Sequence, residues 1–171
     1  MATTDNISYG SWTSMSATGL QLLAIDTTDP YVAWQSARVD NQTTTKAIDY
    51  EVQFNLPTTG TAPANDKAVY AYLVPWMYDG ASWTPAANFG TTVRPTGIDT
   101  AASITDPNSM KGPYAMPYAI TSQPIDGYMT VGQMCGGVVP DGWSLALRNN
   151  CGAALSSGCL INYRPITFTN T

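Results

Sequence analysis

The chain has 171 residues, with no histidine, only three cysteines and few charged side chains. Histidine is the commonest general base and metal ligand, so its absence excludes Ser-His-Asp and Cys-His nucleophilic sites within this chain. Charged residues make up 11% of the sequence, against about 25% in ordinary globular proteins. Because surface helices need charged groups on their solvent side, this shortage favours strands and loops whose polar groups are Thr, Ser, Asn and Gln.

Nucleic acid and membranes are not expected partners. The seven basic residues are scattered and the net charge is −5, so the basic patch that phosphate binding requires is missing. No run reaches the ~18 apolar residues of a membrane span. The N-terminus MATTDNISYG lacks a charged n-region followed by an apolar run, so we expect a soluble protein that is used without Sec export.

The odd number of cysteines does not predict a disulfide framework. Cys151 and Cys159 bracket the segment GAALSSG, a predicted hairpin loop, so a bridge between them is geometrically conceivable. Buried free thiols are the favoured interpretation. A zinc site built from the three cysteines, Cys135, Cys151 and Cys159, is less favoured still, because their spacing matches no zinc module and no histidine is available.

Two central segments give the clearest strand signals. Apolar and polar residues alternate along AIDYEVQFNL, which predicts a strand with one buried face. The next segment, KAVYAYLVPWMY, is almost continuously apolar, which predicts a strand buried on both faces, with Pro75 marking a bulge or an edge near its end. Asp79-Gly80 then predicts a hairpin turn.

The C-terminal third returns to strands over GYMTVGQM, WSLALRN and GCLINYRPITF. Trp143, Leu145 and Leu147 share one face of the middle strand. Seven or eight short strands separated by turns predict an all-β, single-domain antiparallel β-sandwich or jelly roll over residues 19–171. Residues 1–18 predict an N-terminal arm or irregular segment.

Residues 84–124 predict a long loop region, rich in Pro, Gly, Thr and Ala. Short strands could form within it around residues 91–93 and 118–121. A region of this length with little regular structure is longer than compact domains normally contain. We therefore expect it to be functional or to be engaged by a partner.

Carboxylates offer the one catalytic alternative. Asp49 and Glu51 point to the same side of the alternating strand, at a separation that a glycosidase pair could use. An ordinary solvated strand face is favoured over this interpretation. Calcium could bind between aspartates in two loops, but turn formation explains them better; the pairs are Asp26 with Asp29, and Asp99 with Asp106. We therefore predict no catalytic residue, no metal and no cofactor.

Aromatic residues are the best candidates for contact with other molecules. Trp34 and Trp143 alternate with other apolar residues and are predicted to lie in the core. A hairpin tip with several aromatic side chains is seldom left in water, and buried aromatics are common interface anchors. A sugar-stacking platform is the alternative. The candidate interface residues are Trp76, Tyr78, Trp83 and Trp12.

Two segments carry a resemblance to a known group of proteins. The run VVPDGWSLALRN, followed by a Gly-containing loop and INYRPIT, resembles the C-terminal hairpin of small virion proteins of tailed bacteriophages. The run DKAVYAYLVPWMYDGASW resembles the central part of the same group. The resemblance spans about residues 47–166. It rests on the general character of the sequence and includes no invariant catalytic signature.

The resemblance implies a capsid decoration (cement) protein. Such a protein is a β-sandwich or jelly roll, often a homotrimer, that is made in the host bacterial cytoplasm and located on the capsid surface of the virion. Its expected partners are the major capsid protein and further copies of itself, and it has no catalytic residues. The alternative is a tail-associated module of the same fold that binds a receptor or a carbohydrate.

Overall fold

Nearly all regular structure in the described part of the chain is β-strand. The computed structural model describes residues 5–20, 31–42, 46–59, 68–87, 95–104, 110–117 and 124–170. These ranges contain a one-turn helix, α1 (Val131–Met134), and the strands β1 (Asp5–Tyr9), β2 (Thr13–Met15), β3 (Tyr31–Gln35), β4 (Val39–Asp40), β5 (Asp49–Leu56), β6 (Ala68–Tyr78), β7 (Trp83–Pro85), β8 (Thr100–Ile104), β9 (Lys111–Pro117), β10 (Ile125–Thr130), β11 (Gly142–Asn150) and β12 (Leu160–Asn170).

The strands form two antiparallel sheets. The first sheet has the order β1-β12-β5-β10, and β2 pairs with β12 beside β1. The second sheet has the order β7-β6-β11-β3-β8. In this sheet β9 also pairs with β6, and the short β4 pairs with β11 beside β3.

The connections between the sheets follow the jelly-roll pattern. Eight strand positions account for the sandwich when β1 and β2 are taken together as the first. The remaining positions, two to eight in chain order, are β3, β5, β6, β9, β10, β11 and β12. Positions one, eight, three and six lie side by side in the first sheet. Positions two, seven, four and five lie side by side in the second. This double Greek key is the jelly-roll arrangement. The predicted all-β antiparallel sandwich or jelly roll is confirmed, and β7 and β8 extend the second sheet.

The main core lies between the sheets. From the first sheet, β5 contributes four side chains that are 4% exposed or less, in the predicted alternation: Tyr50, Val52, Phe54 and Leu56. From the second sheet, β11 contributes Trp143, Leu145 and Leu147, which are fully buried. Trp34 on β3 is also fully buried, so both tryptophans predicted for the core lie there.

The outer face of the second sheet is covered by the chain itself. Tyr72, Val74 and Trp76 on β6 pack there with Ala87 and Met110, which lie in the segment predicted to be a long loop region. The described parts of the predicted loop region, residues 84–124, are less irregular than expected, because β7, β8 and β9 lie there and pair within the second sheet. The strands expected around residues 91–93 and 118–121 lie outside the described residues.

Strand β6 is buried on both faces, as its continuous apolar sequence predicts. The register irregularity lies opposite β9 between Ala71 and Leu73, and not at Pro75. On this side of β6, pairing with β9 ends at Leu73 and pairing with β7 begins at Trp76. Pro75 thus lies in the gap between two partner strands, where a missing backbone donor costs least.

The N-terminal segment differs from the predicted arm. Residues 5–9 and 13–15 pair with β12 as β1 and β2. Between these strands the backbone N–H of Gly10 donates to the Pro165 carbonyl at 2.9 Å. A Cβ atom at Gly10 would lie 2.7 Å from Pro165 Cγ, so the close approach requires glycine. The eleven-residue β12 offers an edge that the short N-terminal strands can complete.

The segment between the last two strands is not a hairpin loop. Because β11 belongs to the second sheet and β12 to the first, residues 151–159 cross from one sheet to the other. The predicted free thiols are confirmed, and Cys151 and Cys159 are buried on either side of this crossing. Burial raises the pKa of Cys159 to about 11, so its thiol stays protonated at neutral pH.

The predicted strand GYMTVGQM is a strand only as far as Thr130. The Thr130 hydroxyl accepts a hydrogen bond from the backbone N–H of Gln133 at 3.2 Å, which caps α1. Asp49 Oδ1 on β5 accepts the N–H of Gly132 at 2.7 Å. These two side-chain acceptors favour a helical turn over a continued strand.

Candidate interaction site

The aromatic hairpin packs mainly against its own sheet. The Asp79-Gly80 turn joins β6 to β7 as predicted, and Asp79 Oδ1 accepts the backbone N–H groups of Ala81 and Ser82 at 2.9 and 2.7 Å. Trp76 is only 3% exposed, and its indole N–H donates to Ser144 Oγ at 2.9 Å. Trp76 therefore lies in the interior and has no ring surface to offer a partner.

The other two aromatic side chains of the hairpin are partly buried. The rings of Tyr78 and Trp83 contact each other with centroids 4.7 Å apart. The guanidinium of Arg38 lies 4.2 Å from the Trp83 ring centroid and 5.4 Å from that of Trp76. Trp83 is thus held between a tyrosine and an arginine of the same chain, which leaves the hairpin a limited contact surface.

Trp12 belongs to a different surface, the outer face of the first sheet. It lies between β1 and β2 and is 39% exposed. The Arg164 guanidinium on β12 is 4.6 Å from the Trp12 ring centroid and 4.7 Å from the Tyr9 ring centroid. This cation–π clamp fixes the two rings on the outside of the sheet.

A polar network continues from this clamp across the first sheet. Arg164 Nε donates to Glu51 Oε2 on β5, and the Tyr128 hydroxyl on β10 donates to Glu51 Oε1 at 2.6 Å. Burial alone would raise the pKa of Glu51, but hydrogen bonds from Arg164 and Tyr128 hold it below its ordinary value. The hydrogen bond to Glu51, together with burial, raises the pKa of Tyr128 to about 12.

The carboxylate pair does not have the arrangement of a general acid and its partner. Asp49 accepts the backbone N–H of Gly132 and that of Tyr50, each at 2.7 Å. Glu51 is held ionised by Arg164, whereas a general acid requires a raised pKa. The two carboxylates therefore act as structural acceptors, and the glycosidase hypothesis gains no support from them.

We expect Glu51→Gln to destabilise the protein by about 1–3 kcal/mol at pH 7, because Arg164 loses its anionic partner. Since the folded-state pKa of Glu51 is lowered, this contribution is present above its ordinary value of 4.5. It is lost as the pH falls through the lower folded-state value. Urea titrations at pH 7 and pH 3 measure the difference, and an equal deficit at both pH values would contradict the assignment.

An exposed apolar surface, which includes Tyr9 of the clamp, lies where β1 pairs with β12. Ile7 pairs with Phe168, and Tyr9 pairs with Ile166. Directly opposite residues project from the same sheet face, so the four side chains form one cluster, which we call the apolar patch. Ile7, Tyr9 and Phe168 are 58%, 54% and 60% exposed, so this patch is the most exposed aromatic surface on the first sheet.

The sequence carries a signal for this patch that is too short to interpret alone. Ile7 and Tyr9 alternate with Asn6 and Ser8, and Ile166 and Phe168 alternate with Thr167 and Thr169. Alternation over three or four residues does not show which face is outside. The pairing of β1 with β12 determines which face is outside, because Ile166 and Phe168 lie on the same outward face of β12 as Arg164.

The two edges of the first sheet differ. At the β10 edge, the backbone N–H of Tyr128 donates to the Tyr114 hydroxyl at 3.1 Å, so a side chain covers part of the strand. At the β1 edge, none of the described strands pairs with the outer side of the strand. Strand β1 also contains no lysine or proline, the residues that usually block pairing at an edge.

A groove lies at the other end of the first sheet, over β5, β10 and β12. Its volume is about 330 Å³. Asn55 Nδ2 donates to Asp126 Oδ1 at 2.8 Å along one side. We call it the polar groove; its outward side chains are Gln53, Asn55, Asp126, Tyr128, Leu160 and Asn162.

Asp99, one of the calcium candidates, has a structural role in the described part of the chain. It accepts the Ser16 hydroxyl at 2.7 Å, the backbone N–H groups of Thr18 and Gly19 at 2.9 and 3.0 Å, and the indole N–H of Trp34. The described residues contain no group of three or more potential metal ligands. The other calcium candidates, Asp26, Asp29 and Asp106, lie outside them.

No protein-family model matches the chain, and no characterised protein sequence matches it either. Among the residues that the structure describes, no helix has the length and apolar character to cross a membrane.

Proposed function

We propose that the protein is a non-catalytic structural component of a phage particle, a decoration protein that binds the outside of the head and holds neighbouring coat subunits together. The observation that carries the proposal is the apolar patch on the outer face of the first sheet, where Ile7 and Phe168 are 58% and 60% exposed. The jelly-roll fold is compatible with it, since capsid proteins use this fold, although lectins and cupins do so too. The assignment to a phage head rests on the sequence resemblance.

The apolar patch has the chemistry of a contact surface. Monomeric proteins seldom leave neighbouring large apolar side chains in water, and aromatic side chains are frequent interface anchors. Arg164 and Trp12 border the patch and supply a polar, aromatic rim. Burial of such a patch contributes about 25 cal/mol per Å² of apolar area.

The apolar patch can contact more than one kind of partner. The partner can be the coat protein or another copy, and a homotrimer around a local symmetry axis would present three patches to the shell. Simultaneous attachment at several sites raises the overall affinity without new contacts.

The test uses purified protein and heads that lack it. We expect Phe168→Asp to weaken binding to these heads at least tenfold, because a charge replaces a side chain that would be desolvated. The matched control is Met77→Asp on β6, which alters a side chain that is 54% exposed on the other sheet. This control should bind within about twofold of wild type.

Quantitative gels of sedimented heads give the number of bound copies for each variant. Unchanged binding of Phe168→Asp would refute the role of the apolar patch. Failure of the wild-type protein to bind heads, or a copy number of only a few per virion, would refute the decoration function as a whole.

A tail-associated module that binds a receptor or a carbohydrate is the second candidate. The polar groove is the specific observation that favours it, since its lining differs in chemistry from the apolar patch.

A further inference from the structure

The polar groove has the dimensions of a small-molecule site. Its volume of about 330 Å³ lies at the lower end of the ~300–1,000 Å³ range of ligand pockets, which leaves room for a short saccharide. Its floor is built on three adjacent strands, in which Gln53 pairs with Asn162 on one side and with Tyr128 on the other. Side chains on paired strands are held more precisely than side chains on loops.

The charge of the groove selects against anions. Of the described residues that line the groove, Asp126 is the one carboxylate, and none is a lysine or an arginine. Arg164, two residues after Asn162 on the same face of β12, is engaged by Glu51 and by two aromatic rings. A phosphate, a sulfated sugar or a nucleic acid would therefore meet a carboxylate without a compensating cation.

The remaining polar groups suit hydroxyl groups. A side-chain amide offers both donors and an acceptor, as a sugar hydroxyl does, so the two can form paired hydrogen bonds. No hydrogen bond joins the side-chain amides of Gln53 or Asn162 to another described residue. These two amides face the groove side by side, and Asn55 with Asp126 adds a second polar pair.

Tyr128 gives the groove a fixed ring. Its hydroxyl is anchored to Glu51 at 2.6 Å, while its side chain remains 47% exposed. An anchored ring keeps one apolar surface in place, which lowers the entropy cost of binding. Leu160, 52% exposed, provides another apolar surface at the groove.

We propose that the polar groove binds a neutral saccharide, with Gln53, Asn162, Asn55 and Asp126 hydrogen-bonded to its hydroxyl groups and its apolar face against Tyr128. This goes beyond attachment to a head and does not depend on it, because the apolar patch is at the other end of the sheet. The sugar's hydroxyl groups match the amides, its apolar C–H surface matches the ring, and its neutrality avoids repulsion by Asp126.

The experiment titrates the ¹⁵N-labelled chain of 171 residues with maltohexaose, cellohexaose, laminarihexaose and tetra-N-acetylchitotetraose, each up to about 10 mM. We expect at least one of them to shift the side-chain amide signals of Gln53 and Asn162, with a Kd of about 0.1–1 mM. A heparin hexasaccharide is the anionic probe and should bind more weakly than the best neutral sugar.

Two variants locate the binding. Gln53→Ala and Asn162→Ala should each weaken the best sugar about two- to tenfold, as expected for the loss of one or two hydrogen bonds. Gln133→Ala removes an exposed amide on α1, outside the groove, and should leave the affinity unchanged. Thermal melts confirm that all three variants are folded.

Three results would overturn the proposal. The first is no shift with any of the four neutral sugars, and the second is equal affinity in the two groove variants and wild type. The third is a shift of the groove signals with protein concentration alone, which would show that a second copy covers the groove. Each of these outcomes leaves the Phe168→Asp test of head binding unaffected, so the two proposals fail separately.

Discussion

Replacement of Trp143 by alanine should lower the free energy of unfolding by about 3–5 kcal/mol. Trp143 is fully buried between the sheets and contacts two tyrosines edge-on. Its ring centroid is 5.4 Å from that of Tyr50 and 5.6 Å from that of Tyr163, with interplanar angles of 61° and 87°. Truncation therefore removes the apolar burial and both aromatic contacts, and leaves a cavity that the paired strands cannot fill.

Chemical denaturation followed by circular dichroism measures this loss. The matched control is Trp12→Ala, which removes the same side chain at an exposed position and should cost about 1 kcal/mol. Trp143→Phe should recover much of the loss, because the Trp143 indole N–H makes no hydrogen bond to the described residues and an apolar ring leaves nothing unpaired. Equal costs for Trp143→Ala and Trp12→Ala would contradict the placement of Trp143 in the core.

Replacement of Asp99 by alanine should be the second most destabilising change, at about 2–4 kcal/mol. The carboxylate joins the turn at residues 16–19 to β3 through four donors. Its removal leaves the indole N–H of the buried Trp34 and two backbone N–H groups without this acceptor. Asp126→Ala is the control, since this exposed carboxylate has one side-chain partner, Asn55, and should cost less than about 1 kcal/mol.

The contribution of Asp99 should also depend on pH. Burial by itself raises the pKa of Asp99, but the hydrogen bonds that it accepts outweigh this effect and hold the pKa below its ordinary value of 3.8. A lowered folded-state pKa means that the stabilisation is complete above the ordinary value and declines as the pH falls through the folded-state value. Denaturation of wild type and Asp99→Ala should therefore converge at low pH, and a constant difference would contradict the assignment.

The two proposed surfaces lie on one sheet, joined through Glu51 and Arg164, and their outer ends are far apart. Leu160 at the polar groove and Phe168 at the apolar patch are the first and ninth residues of β12. At about 3.3 Å per residue, the strand places them about 26 Å apart. A protein attached through the apolar patch could thus keep its groove free for a saccharide, which joins the two candidate functions without requiring one surface to serve both.

Much of the fold was predictable because its strongest signals are local. The alternation along β5 predicts one buried face, and the continuous apolar run of β6 predicts burial of both faces. Trp34 and Trp143 could be assigned to the core for the same reason. The Asp79-Gly80 turn depends on four consecutive residues, so it too could be read without tertiary information.

The candidate site was harder to predict because side-chain exposure depends on distant partners. The aromatic hairpin was the expected contact surface, yet Trp76 is covered by its own sheet and by segments around Ala87 and Met110. Trp12 was the one candidate placed on the outer face of the first sheet. It lies there because Arg164, more than 150 residues away, binds its ring.

The sequence by itself determined that the protein is all-β, that β5 has one apolar face, and that no histidine-dependent site exists in the chain. Tertiary structure alone decided that residues 5–9 and 13–15 are strands, that residues 151–159 cross between sheets, and that Ile7 and Phe168 form one surface. The physical reason is that an edge strand forms its hydrogen bonds with a partner strand, and the pairing with that strand determines which of its side chains point outward. For β1 that partner is β12, at the opposite end of the chain.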